Sequence, residues 1–315
     1  MFIQSARRFL RSLFPAVFLY HITAVQALAV LEVVVSIPPL HSLASAVMQG
    51  VGQPGLLIAG GQSPHTAHLR PSAMQGLSGA DLIVIISPDF ELSLRKPVSQ
   101  QHGQKINVAA LPRMHLLEAR SSGLWEDAHS HDEHSMEEEM HAGHLPDFHL
   151  WLSTENAAAI VEEFERAISE LDPENAEAYH QNARQLLDRI EQTGREISNS
   201  LEPVRQVPYL VFHDAYHYFE QEFGLNPAGS VTLSPERTPG VRSVLAVKQG
   251  IHERGARCIF HEPQFQPRLV MRIAEETGIR TGELDPMGAA LEPGPELWFE
   301  LMLGLRDQLL GCLQP

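Results

Sequence analysis

Cysteines, basic residues and long apolar stretches are all scarce in this chain of 315 residues. With only two cysteines, the sequence excludes a four-cysteine zinc site and a disulfide-dense scaffold. Lysines and arginines number 23 against 39 acidic residues, and the formal charge of −16 argues against nucleic acid as a partner, because phosphate binding requires a basic surface. Histidine is abundant instead, with 17 residues, and the negative charge around these imidazoles is suited to attracting cations.

The N-terminus has the order of segments that is typical of an export signal. Three arginines precede an apolar run at 13–24, and an Ala-Leu-Ala sequence follows at 27–29. The run is shorter than the ~20 residues of a membrane-spanning helix, which disfavours an anchor. We therefore predict a signal peptide at 1–29 and an exported product. Export also favours a disulfide between Cys258 and Cys312 over two buried free thiols.

Short apolar runs alternate with helical patterns in both halves of the chain, which predicts parallel sheets with helices between the strands. The strand candidates are 31–37, 55–58, 81–86 and 106–108 in the first half, and 207–212, 258–261 and 282–284 in the second. Between the halves, an apolar stripe from 176 to 201 predicts one long helix that ends before Pro203. The sequence thus predicts an α/β fold of two βα lobes, at 30–172 and 204–315, joined by a linker helix at 173–203.

One segment of the N-terminal lobe, 115–148, breaks the alternating pattern. Its centre, 126–144, holds seven acidic residues and almost no apolar ones, so it cannot build a core. The centre also holds five histidines, which are His129, His131, His134, His141 and His144. We expect a loop that collects metal ions, because neutral imidazoles bind cations and the neighbouring carboxylates raise their local concentration. The plainer alternative is a solvated linker.

Polar side chains stand at or near the carboxyl ends of predicted strands, which is where open parallel sheets bind ligands. They are His65 and His149 in the first lobe, and His213 and Asp285 in the second. Three imidazoles and one carboxylate form a donor set typical of Zn²⁺, whereas Mn²⁺ prefers more oxygen ligands. Spacing alone leaves another interpretation open, in which the histidines are polar rim residues and Asp285 belongs to a turn.

Several other residues lie close to these positions in the sequence. His217 follows a candidate ligand by one helical turn, and His68 and His261 neighbour the motifs. We consider each as an accessory ligand and favour an exposed position for His217. Metal-bound imidazoles normally donate their second N–H to a carboxylate or carbonyl, and Asp214 and Glu262 are close enough in sequence to be candidates.

Five short motifs punctuate the chain after the predicted signal peptide. They are Pro64-His65-x-x-x-Leu69-x-Pro71-Ser72, His149-Leu-Trp-Leu-Ser153, Phe212-His213-Asp214-Ala215-Tyr216, Glu262-Pro263-Gln264-Phe265 and Leu284-Asp285-Pro286. In type and order they resemble the motifs of the zinc-binding solute-binding proteins of ABC importers. The resemblance extends from about residue 31 to the C-terminus. It implies two βα lobes, a linking helix, a histidine-rich loop and a disulfide between the two cysteines.

The resemblance also implies which residues bind the metal. It places Zn²⁺ in the cleft between the lobes, held by His65, His149 and His213. The fourth ligand in such proteins is water or a carboxylate, and Asp285 is the candidate here.

The function that the resemblance implies is that of a receptor and not of an enzyme. We expect a monomer that captures Zn²⁺ in the periplasm and delivers it to the membrane permease of an ABC importer. A manganese receptor of the same fold is a second interpretation, although manganese-binding relatives carry Glu at the position of His213. A secreted zinc hydrolase is a third, but the sequence has no His-Glu-x-x-His motif. A free metal buffer built on the histidine-rich loop is a fourth.

Overall fold

Two parallel four-stranded sheets form the centres of the two lobes. The structure is a computed structural model that describes residues 31–120, 145–233, 235 and 239–315. The first sheet has the strand order β2-β1-β3-β4, with β1 at Val33–Val35, β2 at Gly55–Leu56, β3 at Leu82–Ile85 and β4 at Gln104–Asn107. The second has the order β6-β5-β7-β8, with β5 at Tyr209–His213, β6 at Pro227–Thr232, β7 at Cys258–His261 and β8 at Arg280–Glu283. All described strand pairs are parallel, which confirms the predicted fold class.

Helices cover both faces of these sheets. The helices are α1 at Pro38–Val47, α2 at Pro71–Gly79, α3 at Leu92–Ser99, α4 at Thr154–Leu171, α5 at Ala176–Leu201, α6 at His217–Phe223, α7 at Val241–Glu253, α8 at Arg268–Thr277 and α9 at Leu297–Leu313. Proline stands in the first turn of α1 and α2, where its missing N–H has no helical partner to lose. The hydroxyl of Ser153 accepts a hydrogen bond from the Asn156 amide and so caps α4. Burial of the strands on both faces explains why β1 and β3 consist entirely of apolar residues.

The long helix α5 confirms the helix expected in the middle of the chain. Its 26 residues span roughly 39 Å. One buried stripe along it includes Tyr179, Leu186 and Ile197, and the helix packs against α1, α4 and α9. The C-terminal helix α9 contacts α1 of the first lobe as well as strand β8 of the second. One apolar cluster therefore contains residues of both lobes, and a second, smaller cluster lies within the second lobe. The exact limits of the lobes stay a prediction.

A disulfide attaches α9 to the second sheet. It joins Cys258, the first residue of β7, to Cys312 near the end of α9, with a Cα–Cα distance of 6.2 Å. Both cysteines are buried. This pairing agrees with the prediction and fixes the last helix to the lobe that carries β5–β8.

Two elements were not predicted, and both contain residues that disfavour them. Helix α3 includes Pro97, which cannot donate a helical hydrogen bond. Strand β6 begins at Pro227 and contains Gly229 beside an irregular register with β5, which is tolerated because β6 lies at the sheet edge. The predicted signal peptide and the loop at 126–144 lie outside the described residues. Within the described part of the chain, no helix combines the length and apolar character needed to cross a bilayer.

Candidate metal centre

Three histidines from distant parts of the sequence meet between the lobes. The ligand nitrogens of His65, His149 and His213 all lie within 4.8 Å of one another. Their ring centroids are 5.0 Å apart for His149 and His213, 5.4 Å for His65 and His213, and 5.8 Å for His65 and His149. In the part of the chain that the structure describes, this is the one group of at least three such side chains at this spacing.

Two of the histidines lie at the ends of regular elements, and the third lies in a loop. His213 is the last residue of β5, so the sheet fixes its backbone. His149 directly precedes a short 3-10 helix at Leu150–Leu152, whose three side chains are fully buried. His65 lies in the loop between β2 and α2, where its amide donates to the hydroxyl of Ser63 at 3.3 Å. Segments that lie before and after the long helix α5 in the sequence thus carry the cluster.

Two buried carboxylates orient two of the imidazoles. Asp147 Oδ1 lies 2.7 Å from His149 Nδ1 and also accepts the backbone N–H of His149 at 3.0 Å. Glu262 lies 3.3 Å from His213 Nδ1, and its side chain is only 2% exposed. A carboxylate beside Nδ1 favours the tautomer that carries the proton there, which leaves the Nε2 lone pair for a metal ion.

The same contacts set the proton affinities at the site. Burial, together with the neighbouring His213 and His149, holds the pKa of His65 well below its ordinary value. Burial is the largest influence on the pKa of His213 and lowers it, but the carboxylates of Glu262, Asp214 and Asp147 together outweigh it and the net direction is upward. Burial raises the pKa of Asp147, but the interaction with His149 outweighs it and the net direction is downward. The cluster therefore combines lone pairs with buried negative charge, which suits a divalent cation.

Aromatic rings pack around the cluster, and the space between the imidazoles is small. The Phe90 ring packs edge-on against His65 at 4.8 Å and His149 at 5.5 Å, and Trp151 lies 5.4 Å from His149. The cavity between the imidazoles has a volume of about 10 Å³. Its lining also includes Ser63, Pro64, Glu262, Gln264, Phe265, Pro286 and Met287. A space of that size accommodates a single ion or water and excludes organic ligands.

Asp285 does not join the histidines. Its carboxylate accepts hydrogen bonds from the Gln264 side chain at 2.7 Å and from the amides of Met287 and Gly288 at 3.0 Å, with a further bond from Ala289. The backbone after Pro286 turns back, so these amides point at the carboxylate and occupy its lone pairs. In this structure Asp285 lies outside the group of three histidines and holds a turn, and the choice between Asp285 and water as the fourth ligand stays a prediction.

The remaining candidates are also separate from the cluster. His217 is half-buried rather than exposed, and its Nδ1 lies 4.0 Å from Asp147. Burial and the nearby Arg120 lower the pKa of His217 to about 4. His261 lies beside Glu283 at 3.7 Å. His68 is likewise outside the group. The five histidines of the 126–144 loop lie outside the described residues.

Sequence reasoning found one carboxylate partner and missed another. Glu262 was a candidate partner and contacts a ligand histidine, whereas Asp214 pairs with Arg120 instead. Asp147 was missed, although its position two residues before His149 was a signal that a short turn brings the two together.

Two α/β lobes with parallel sheets, which hold three convergent imidazoles between them, define a class of metal-binding proteins. Comparison with known proteins identifies the family within that class. The model of the family described as zinc-uptake complex component A, periplasmic, matches residues 33–312, and the chain belongs to this family.

Named relatives agree with this assignment. The high-affinity zinc uptake system protein ZnuA of Brucella abortus (strain 2308) is 38% identical over 306 residues, covering 89% of this chain and 91% of the relative. The ZnuA protein of Yersinia pestis is 33% identical over 304 residues, covering 91% and 92%. The fold resembles the crystal structure of a ZnuA deletion mutant with zinc bound, with a TM-score of 0.73 and 22% identity over 91% of this chain and all of that one.

Proposed function

We propose that this protein is a periplasmic receptor that captures Zn²⁺ between its lobes and delivers it to the membrane permease of an ABC importer. The observation that carries the proposal is the convergence of His65, His149 and His213 within 4.8 Å in a buried cleft. Membership of the zinc-uptake family and relatives named as zinc uptake proteins support the same cargo. The protein binds and releases its cargo without bond chemistry.

Zinc is the cargo that fits these donors. Imidazole nitrogen is a good ligand for Zn²⁺, while Mn²⁺ and Mg²⁺ favour sites rich in oxygen. Glu262 lines the cavity and contacts His213 Nδ1, and Asp285 is engaged in its turn. We therefore assign the three histidines as protein ligands and a water molecule as the fourth ligand. Selectivity then rests on ligand type and geometry more than on raw affinity.

The route into the periplasm and the role of the loop belong to the same proposal. Residues 1–29 are the cleavable export signal, and the mature chain acts as a monomer. The five histidines at 126–144 collect zinc at lower affinity, because ordering a loop around an ion costs conformational entropy. Deletion of 126–144 is expected to leave one tight zinc per chain, and loss of that ion would contradict the assignment of the cleft.

Native mass spectrometry with competing metals tests the function. The metal-free protein is mixed with equal amounts of Zn²⁺ and Mn²⁺, and the bound metal is identified by mass. One tight zinc is expected, and His65→Ala and His213→Ala should abolish it. His252→Ala, which removes an exposed histidine from α7, is the matched control and should retain it.

Each rival interpretation has its own outcome in this experiment. Preferential retention of manganese would indicate the manganese receptor. Several weak zinc ions that are insensitive to His65→Ala would indicate a metal buffer. Zinc-dependent turnover of ester or peptide substrates in the same samples would indicate a hydrolase.

A further inference from the structure

A buried ion network spans the two lobes next to the metal centre. Arg120 of the first lobe donates to Asp214 Oδ1 at 2.7 Å and to Glu220 Oε2 at 2.9 Å, both in the second lobe. The exposed fractions of these side chains are only 15%, 7% and 2%. Tyr209 of β5 donates its hydroxyl to the other oxygen of Glu220 at 3.1 Å. We call Arg120, Asp214 and Glu220 the inter-lobe brace.

One side of the brace leads directly to His149. The segment before Arg120 pairs with the segment before His149, because the Ala119 amide donates to Leu145 O at 3.1 Å and the Asp147 amide donates to Leu117 O at 2.8 Å. That pairing ends at Asp147, the carboxylate that contacts His149 Nδ1. A short, hydrogen-bonded strip therefore connects the backbone next to Arg120 with the carboxylate that contacts His149.

The other side of the brace leads directly to His213. Asp214, which receives the Arg120 guanidinium, is the next residue after that ligand. A second bond chain runs alongside: the Leu117 amide donates to the Tyr218 hydroxyl at 3.0 Å, and that hydroxyl donates to Asp147 O at 2.8 Å. The two ligands that the brace connects are the histidine pair with the shortest ring separation, 5.0 Å.

Burial of three charged groups contributes little net stability to the fold. Desolvation of a buried ion pair consumes most of its electrostatic gain, and apolar substitutes are often as stable. The geometry of the arginine side chain suggests another role for the brace. A planar guanidinium can hold two carboxylates at a fixed spacing, and a lysine ammonium cannot.

We infer that Arg120 is a positioning residue for metal capture, which sets the separation of His149 and His213 by tying their two supporting segments together. The inference rests on the proposed function, since it concerns the same cleft. It adds that an ion network preorganises the cleft without contacting the imidazole nitrogens that would bind the metal.

Substitutions that keep the fold but remove the brace test this inference. The neutral triple variant Arg120→Met, Asp214→Asn, Glu220→Gln leaves no uncompensated charge buried, and Arg120→Lys keeps the charge without the planar fork. The matched control is Arg189→Met with Glu296→Gln, which removes an exposed ion pair between α5 and the start of α9. Three quantities are measured: the zinc dissociation constant by chelator competition, the visible absorption of bound Co²⁺, and the Tm of the metal-free protein.

The expected result separates positioning from stability. The triple variant should bind zinc at least about tenfold more weakly, the lower end of the cost of outer-shell changes, and should show an altered Co²⁺ spectrum. Arg120→Lys should bind zinc more tightly than the triple variant but more weakly than the wild type. The control should match the wild type in both metal measurements, whatever its Tm. Wild-type zinc affinity and Co²⁺ absorption in the triple variant would overturn the inference, even with a lowered Tm. Failure of the wild-type protein to bind zinc would instead refute the proposed function.

Discussion

Glu91 provides a test of the free-energy cost of burying a carboxylate close to the metal centre. The residue follows Phe90, whose ring covers two of the ligand histidines, and its side chain is fully buried. One carboxyl oxygen accepts the Ser87 amide at 3.0 Å, and the other has no hydrogen-bond partner among the described residues. Burial raises the pKa of Glu91 to about 7, although the Ser36 hydroxyl and the Ser87 and Ile86 amides oppose the shift.

The consequence is a loss of stability as the pH rises. A carboxyl with a raised pKa in the folded state favours folding most below its unfolded value of 4.5, and this contribution disappears as the pH passes 7. Each tenfold change in proton affinity is worth about 1.4 kcal/mol, so a rise from 4.5 to about 7 corresponds to about 3 kcal/mol. Glu91→Gln mimics the protonated group at every pH and should avoid this loss.

Urea unfolding of the metal-free protein at pH 4.5 and pH 8 measures the effect. The advantage of Glu91→Gln over the wild type should grow by about 3 kcal/mol between these conditions, because only the wild type must bury a charge at pH 8. Glu174→Gln removes an exposed carboxyl and should shift the free energy of unfolding by less than about 0.5 kcal/mol at either pH. A pH-independent difference between Glu91→Gln and the wild type would refute the reasoning.

Three further predictions follow from other contacts. Replacing Cys258 and Cys312 by serine should lower the free energy of unfolding by about 4 kcal/mol, the chain-entropy value for their separation of 54 residues; unchanged urea unfolding would contradict this. Glu262→Gln should weaken zinc binding by about 10-fold to 100-fold in chelator competition, because it removes the carboxylate beside a ligand, while Glu283→Gln on the exposed end of β8 should not. Gly282→Ala places a methyl group 2.5 Å from an aromatic ring of β7 and should cost about 1–3 kcal/mol by thermal unfolding; a neutral effect would show that the ring has room to move.

Local sequence patterns were sufficient to predict most of the fold. The apolar runs at β1 and β3 and the long stripe of α5 depend only on burial and periodicity, so they can be read from a single chain. Helix α3 and strand β6 were missed because each contains a proline, which counts against a regular element when only the local sequence is considered.

The sequence likewise predicted some features of the candidate site and missed others. The convergence of His65, His149 and His213 could be expected because ligands of parallel sheets gather near strand ends and because the motifs around these histidines are specific. The hydrogen bonds of Asp285 were not, because the sequence shows a carboxylate before a proline but not the direction of the amides that follow. The partnership of Arg120 with residues about 100 positions away was equally invisible, since no local pattern encodes a contact across the lobes.

The volume enclosed by the three imidazoles, about 10 Å³, restricts the form in which the cargo can enter. It accepts an ion with at most one water of its hydration shell, so the ion must shed nearly all of that shell during entry, and three imidazole nitrogens replace part of it. A metal carried by a small organic chelator cannot be taken up together with its carrier and must first be surrendered.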